Sequence, residues 1–306
     1  MALPLVITTL PLAVAAPRAP GPLISQPAAR CVSLRPYTCA QTNRNLFEDA
    51  VADAAVSLLS DSARAFLLLR RRNDVTMYGK LHSEYADTTP DYIAMTWYSD
   101  ASDAKDALSE FLEDDTADAL SAAAADPLSP APLLWDATLI EQPELSSSLE
   151  AGTPCFLAMN RFPVRPSDAL LFEERWASRT TALPKQPGLI GFSLLRRRDA
   201  LGEQEEPYTY STATLWSSEA SWHSWREGGG KSSHVASQQI KRTPVSEWME
   251  GSASPIFWDV PIYLHRGGEE AEAMGNAEPT VHLCPRAAPK RRSGPLTMMA
   301  GSGNPN

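Results

Sequence analysis

The run CFLAMNRFPVRP, Cys155 to Pro166, carries a polar Asn160 at the end of an otherwise apolar, strand-like segment. Trp225 lies nine residues after Trp216, and His234 lies nine after Trp225. An amide exchanges hydrogen bonds without titrating, a neutral imidazole ligates transition metals, and an indole presents a flat, rigid wall. Taken singly, each residue has a plainer reading: Asn160 as a strand edge, Trp225 as helix core, His234 as a solvated residue of the polar loop KSSHVAS. Arg161, Arg165 and Lys231 are cations that could pair with ligand carboxylates or simply form a solvated face. Whether these groups make one site depends on the elements that position them.

Those elements come from a duplication. LFED at Leu46 answers LFEE at Leu171, FLLLRRR at Phe66 answers FSLLRRR at Phe192, WYSDAS at Trp97 answers WSSEAS at Trp216, and PLLWD at Pro132 answers PIFWD at Pro255. The offsets are 125, 126, 119 and 123, so small loop differences keep two halves in register. In the second half an apolar strand, Phe156 to Val164, precedes a helix whose Ala169, Phe172, Trp176, Thr180 and Leu183 recur at helical spacing, with Ser167 as N-cap and Gly188 ending the connection. The strands LIGFSLLRR and YTYSTATLW follow. Ser217-Ser218 then starts another helix, a further helix is expected near Val235 to Met249, and IFWDVPIYL closes the unit. The order is βαββαβ. The expected fold is therefore α+β: two tandem ferredoxin-like units whose bare sheet faces pack into an intramolecular pseudodimer β-barrel.

MNRF, the FEE.W helix, QPGLIGFSLL and TLW.SEASW..W, in this order within Cys155 to Leu264, resemble the antibiotic-biosynthesis monooxygenase superfamily, and within it the IsdG-type haem-degrading monooxygenases. The resemblance implies a site made of an Asn on the first strand, a Trp nine residues after the Trp that ends the third strand, and a His about ten later. Those positions are Asn160, Trp225 and His234. It implies that His234 is the axial ligand of haem iron, that Asn160 donates a hydrogen bond in the distal pocket and that Trp225 presses the porphyrin out of plane; with haem as ligand, Arg161 is the cation expected at a propionate, because cations pair readily with carboxylates. Haem is then both substrate and cofactor. Dioxygen is the second substrate, and electrons come from an external reductase, since the chain has no GxGxxG or P-loop pattern. Two rivals remain: a cofactor-independent quinol or polyphenol monooxygenase, which needs no axial His, and a haem-binding carrier without turnover. One departure is the run REGGGKSS between Trp225 and His234, whose glycines disfavour a continuous helix.

The first half resembles the superfamily only. Arg35 or Pro36 falls where Asn160 sits, Trp97 plus nine is Asp106, and the half's only histidine is His82. Residues 30–145 are expected to be a degenerate partner for a catalytic unit at 150–266, giving a monomer that acts as a pseudodimer. Trp222 is assigned to packing and His223 to the surface.

Composition narrows the partners. A formal charge of −10 argues against a nucleic-acid backbone. Cys31, Cys39, Cys155 and Cys284 have no CxxC spacing, which predicts reduced thiols and no structural zinc. The apolar run LPLVITTLPLAVAA, followed by Arg, Pro and Ser with no acid before Glu48, reads residues 1–29 as a plastid-type presequence, with a secretory signal as the alternative, and leaves no membrane span in the mature form. CVSLRPYTC could belong to that presequence or be the first strand. Residues 267–306 read as a disordered tail in which Cys284-Pro285 resembles a haem-regulatory dipeptide.

Overall fold

A computed structural model describes residues 31–58, 63–77, 80–81, 91–106, 132–141, 155–179, 181–198, 208–228, 245–265 and 280–283. The first half comprises β1 (Cys31–Tyr37), α1 (Arg44–Leu58), β2 (Ala63–Arg72), a small hairpin β3 (Thr76–Met77) and β4 (Lys80–Leu81), β5 (Tyr92–Tyr98) and β6 (Leu133–Glu141). The second comprises β7 (Cys155–Phe162), α2 (Ala169–Ala177), β8 (Leu189–Arg197), β9 (Tyr210–Trp216), α3 (Glu219–Glu227) and β10 (Ser254–His265), with β11 (Thr280–Leu283) beyond it.

Each half makes the same antiparallel sheet, β6-β1-β5-β2 and β10-β7-β9-β8. The halves join twice, β2 to β10 and β6 to β8, so eight strands close into a barrel. Closure follows from the alternation. On β7, Cys155, Leu157 and Met159 point inward while Phe156, Ala158 and Phe162 point outward to the helices. The interior core draws on both halves, Leu67, Trp97 and Trp135 meeting Leu157, Leu215 and Trp258. Burying each such side chain contributes about 1.5–3 kcal/mol, which neither sheet could collect alone. Two outer cores sit under the helices, one around Phe47 and Phe66, the other around Phe172, Phe192 and Trp222.

The duplicated LFE, RRR and WD motifs meet at the two joins. At one, Asp259 of β10 accepts from Arg70 at 3.0 Å and Arg72 at 2.7 Å, while Arg70 also reaches Glu48 of α1 at 2.9 Å and Tyr92 donates to Glu48 at 2.7 Å. At the other, Asp136 of β6 meets Arg198 at 2.5 Å and Arg196 at 3.7 Å, Arg196 reaches Glu173 of α2 at 3.1 Å, and Tyr210 donates to Glu173 at 2.6 Å. Each half thus contributes the aspartate that neutralises the arginines of the other.

The alternative left open at CVSLRPYTC resolves to the strand, CVSLRPY being β1, and several other expectations are corrected. The helix after β7 is shorter than its periodicity implies. Pro166–Asp168 forms a 3-10 turn, α2 stops at Ala177, and Leu183 belongs to a separate turn; Ser167 makes no cap, because Pro166 starts the turn one residue earlier. Val245–Trp248 is a single 3-10 turn, and residues 229–244 lie outside the described residues. The tail is not wholly without structure: Thr280–Leu283 pairs with Ile262–His265, the part of β10 left free where β7 ends at Cys155. Among the described residues, no helix is long and apolar enough to cross a membrane.

Strand pairing also moves one repeat match by a residue. Phe156 opposes Trp216, and its counterpart Cys31 opposes Tyr98, so Tyr98 rather than Trp97 occupies the position of Trp216. A one-residue slip reverses the face. Trp97 therefore lies inside the barrel and Trp216 outside it.

Candidate active site

The outer face of the second sheet has small, polar residues at its centre and aromatic residues around them. Asn160 opposes Thr212 on β9 and Pro255 on β10, and Ala158 opposes Thr214 and Phe257. Because Ala213 and Leu215 point inward, Thr212 and Thr214 point outward with Asn160 and Ala158. These four residues form a floor with little side-chain height. Asn160 is exposed although Ala158, Met159 and Thr212 beside it are buried. Its backbone N–H donates to Thr212 Oγ1 at 3.3 Å, and among the described residues its side-chain amide makes no hydrogen bond.

Aromatic residues wall the floor. On the α2 side, Trp176 stacks on Phe192 with centroids 5.7 Å apart, and the Arg179 guanidinium covers its ring at 4.3 Å. On the α3 side, Trp222 packs on Phe156 at 5.2 Å and Phe257 at 5.0 Å, which makes it the anchor expected of it. One helical turn on, Trp225 lies on Trp216 with centroids 5.4 Å apart and remains half-buried. Ser218 fixes the start of α3 by accepting from the Ser221 N–H at 3.2 Å, as its type and position imply. Gly188, at φ +81°, accepts from Ser217 N–H at 2.7 Å, so this glycine ties the start of β8 to that same helix end.

The structure thus places Asn160 and the Trp225 helix on one outer face of one unit. Arg161 is on the other side of its strand: it follows Met159 toward the barrel mouth, donates to Ser254 Oγ at 3.1 Å and stacks over Tyr208 at 4.3 Å. It is not brought to Asn160, since adjacent residues of a strand face opposite ways. Arg165 pairs with Asp168 at 2.7 Å and donates to the Glu247 carbonyl. His234 and Lys231 lie outside the described residues, as do His82 and Cys284. His223 is at the surface, 3.5 Å from Glu219. Thr212, Thr214 and the supporting Trp216 are features that residue chemistry alone did not single out, although the alternation of STATLW carries the signal. Beside the floor on the same face of β9, Tyr210 is held protonated by burial and by its bond to Glu173, which push its pKa upward, so it serves as a fixed donor to α2.

The first unit's equivalent face is filled. Arg35 pairs with Ala94 as Asn160 pairs with Thr212, which selects Arg35 over Pro36 as the counterpart. Tyr98 replaces Trp216, and its hydroxyl is bonded to Ser33 and Thr96 in the middle of what would be the floor. Nine residues beyond Tyr98 is Ala107, not a tryptophan.

Residues 155–234 match the antibiotic biosynthesis monooxygenase family. That span runs from β7 to His234, the strand, helices and floor just described. No curated protein matches the chain. Among solved structures, a candidate monooxygenase from Fusobacterium nucleatum is 10% identical over 79% of this chain and 97% of its own, with a TM-score of 0.54, which shows that the whole barrel is shared. An anthrone oxidase-like protein is 12% identical over 77% of this chain and 92% of its own, at a TM-score of 0.46. The haem degrader MhuD from Mycobacterium tuberculosis, solved with two haems in its active site, is 27% identical over 34% of this chain and 94% of its own, at a TM-score of 0.27. By its family match the second unit is similar to antibiotic biosynthesis monooxygenase domains, and the chain as a whole shares its barrel fold with the Fusobacterium protein.

Proposed function

We propose that the second unit is a haem-degrading monooxygenase that opens the porphyrin ring and releases iron. The observation that carries this reading is the juxtaposition of exposed Asn160 with a floor of Ala158, Thr212 and Thr214, beside the α3 helix that carries Trp225. A wide, flat ligand fits such a floor, because no long side chain rises from its centre. Bound haem would supply a redox iron and the carbon skeleton that is oxidised.

The chain's own residues have separable tasks. Asn160 offers an uncharged N–H donor whose strength does not change with pH. Its backbone is held on the strand by the N–H bond to Thr212 Oγ1, which sets where the amide side chain leaves the sheet. Trp225 is a rigid wall supported from behind by Trp216. The residue assigned to iron is His234. Dioxygen enters as co-substrate and an external donor supplies electrons.

Haem titration of the full chain, followed by optical spectra during addition of reductant in air, tests the reading. Saturation near one haem per chain, a Soret band lost to turnover, weaker binding in His234→Ala and roughly tenfold to hundredfold slower loss in Asn160→Ala are expected. Stable binding without decay would make the protein a carrier. Absence of binding would leave a quinol-type monooxygenase.

A further inference from the structure

The two joins use the same residues but differ in one respect that bears on the candidate site. Arg72, from the first half, spreads its guanidinium over three carboxylates: Nη1 to Asp259 at 2.7 Å, Nε to Asp74 at 2.5 Å, and Nη2 to Glu219 at 3.1 Å. Glu219 is in the first turn of α3, six residues before Trp225, or roughly 9 Å along the helix. At the mirrored join Arg198 pairs with Asp136, but the residue equivalent to Glu219 is Ala101, which has no carboxylate to offer. The grip therefore runs one way, from the first half onto the helix beside the Asn160 face of the second.

We propose that Arg72 is a positioning residue for the second unit's candidate site, holding α3 and with it Trp225 by way of Glu219. Its importance for catalysis rests on the haem reading above; its action on α3 does not. The three-way contact requires a guanidinium, whose rigid fork presents separate N–H groups to separate acids. A lysine at 72 would keep charge at the join with Asp259 and lose the reach to α3. The first half, which has neither Asn160 nor Trp225 in its own equivalent positions, then contributes to the site through this residue as well as through the barrel.

The test is hydrogen exchange of the α3 amides in the full chain, with haem affinity measured separately. Glu219→Gln and Arg72→Lys should each speed exchange in α3 by about two- to fivefold, the range of a partly exposed ion pair, and the double variant should add little to either. Arg198→Lys, at the mirrored join, and His223→Gln, which removes the other contact of Glu219, should leave α3 unchanged. Unchanged α3 exchange in Arg72→Lys would overturn the proposal, as would equal acceleration across β7–β10, because the effect would then be global. If the parent protein binds no haem but the α3 pattern is as stated, the haem reading fails and the positioning role stands. If haem binds, its affinity should fall by a similar factor in Glu219→Gln.

Discussion

Asp259→Asn should destabilise the protein by about 2–3 kcal/mol, whereas Asp136→Asn, its exact counterpart in the repeat, should cost only about 0.5–1 kcal/mol. Both aspartates face two arginines of the opposite half, although Asp136 accepts a hydrogen bond from Arg198 alone and has Arg196 as an ion pair at 3.7 Å, so the sequence repeat alone predicts similar losses. Burial separates them. Around Asp259 the side chains of Arg70 and Arg72 are 20% and 17% exposed, and Asp259 itself 15%. Around Asp136 the guanidinium side chains of Arg196 and Arg198 are 47% and 43% exposed. A charge-assisted bond contributes roughly 1.5–3 kcal/mol when screened from water, and Asn retains one acceptor oxygen, so about half of the two-bond total is lost at Asp259. At Asp136 water replaces what the substitution removes, which leaves the value of a surface pair. Equilibrium urea unfolding of the two full-length variants measures the difference. Equal losses, or a larger loss at Asp136, would refute the argument that local screening and not the motif sets the strength of each join.

Gly188→Ala should cost about 2–4 kcal/mol in thermal unfolding, since φ is +81° and a Cβ would lie 2.4 Å from Ser221 Oγ and 2.8 Å from Ser217 Oγ, displacing the cap of α3; a loss below about 0.5 kcal/mol would mean that the backbone relaxes freely. Burial pushes the Cys31 thiol from 9.0 up to about 11, so its contribution to stability is complete below pH 9 and is lost as pH rises to 11. Cys31→Ser should accordingly flatten the stability profile between pH 9 and 11, and native Cys31 should resist alkylation at pH 8, both readable by unfolding and mass spectrometry. Tyr98→Phe should cost about 1 kcal/mol through its bonds to Ser33 and Thr96 without changing haem affinity, which a titration beside an unfolding curve would check.

The fold was legible because two periodic signals agreed. Alternation marked the strands, and the ordered matches at Leu46/Leu171 and Pro132/Pro255 fixed the plan of both halves. The WYSDAS/WSSEAS match misled by one residue, since identity favoured Trp97 for Trp216 while the ladder pairs Tyr98 there; local similarity does not register which face of a strand a residue takes. The same parity separates Arg161 from Asn160, and it could have been applied from the sequence, because Met159 and Arg161 share a face. The end of α2 was not legible: Trp176, Thr180 and Leu183 keep helical spacing, yet the helix stops at Ala177 and the chain resumes as a turn at Leu183. For the joins, the repeated arginines and aspartates were visible as motifs, but their pairing across halves depends on closure of the barrel.

Closure also explains why a half without the site residues should persist. Leu157, Leu215 and Trp258 of the second half are covered inside the barrel by Leu67, Trp97 and Trp135 of the first, and the edges of β8 and β10 are paired by β6 and β2. Removing the first half would expose that apolar face and two strand edges together, which favours association or aggregation over a soluble single unit. Such a loss leaves the first half's own outer face under no comparable constraint, and there the substitutions collect: Arg35 for Asn160, Tyr98 for Trp216, Ala94 for Thr212. Several residues facing inward or at the joins instead keep their chemistry, Trp135 with Trp258 and Asp136 with Asp259. An isolated 150–270 fragment that was as soluble, folded and monomeric as the full chain would break this reasoning, because the inner face would then need no partner.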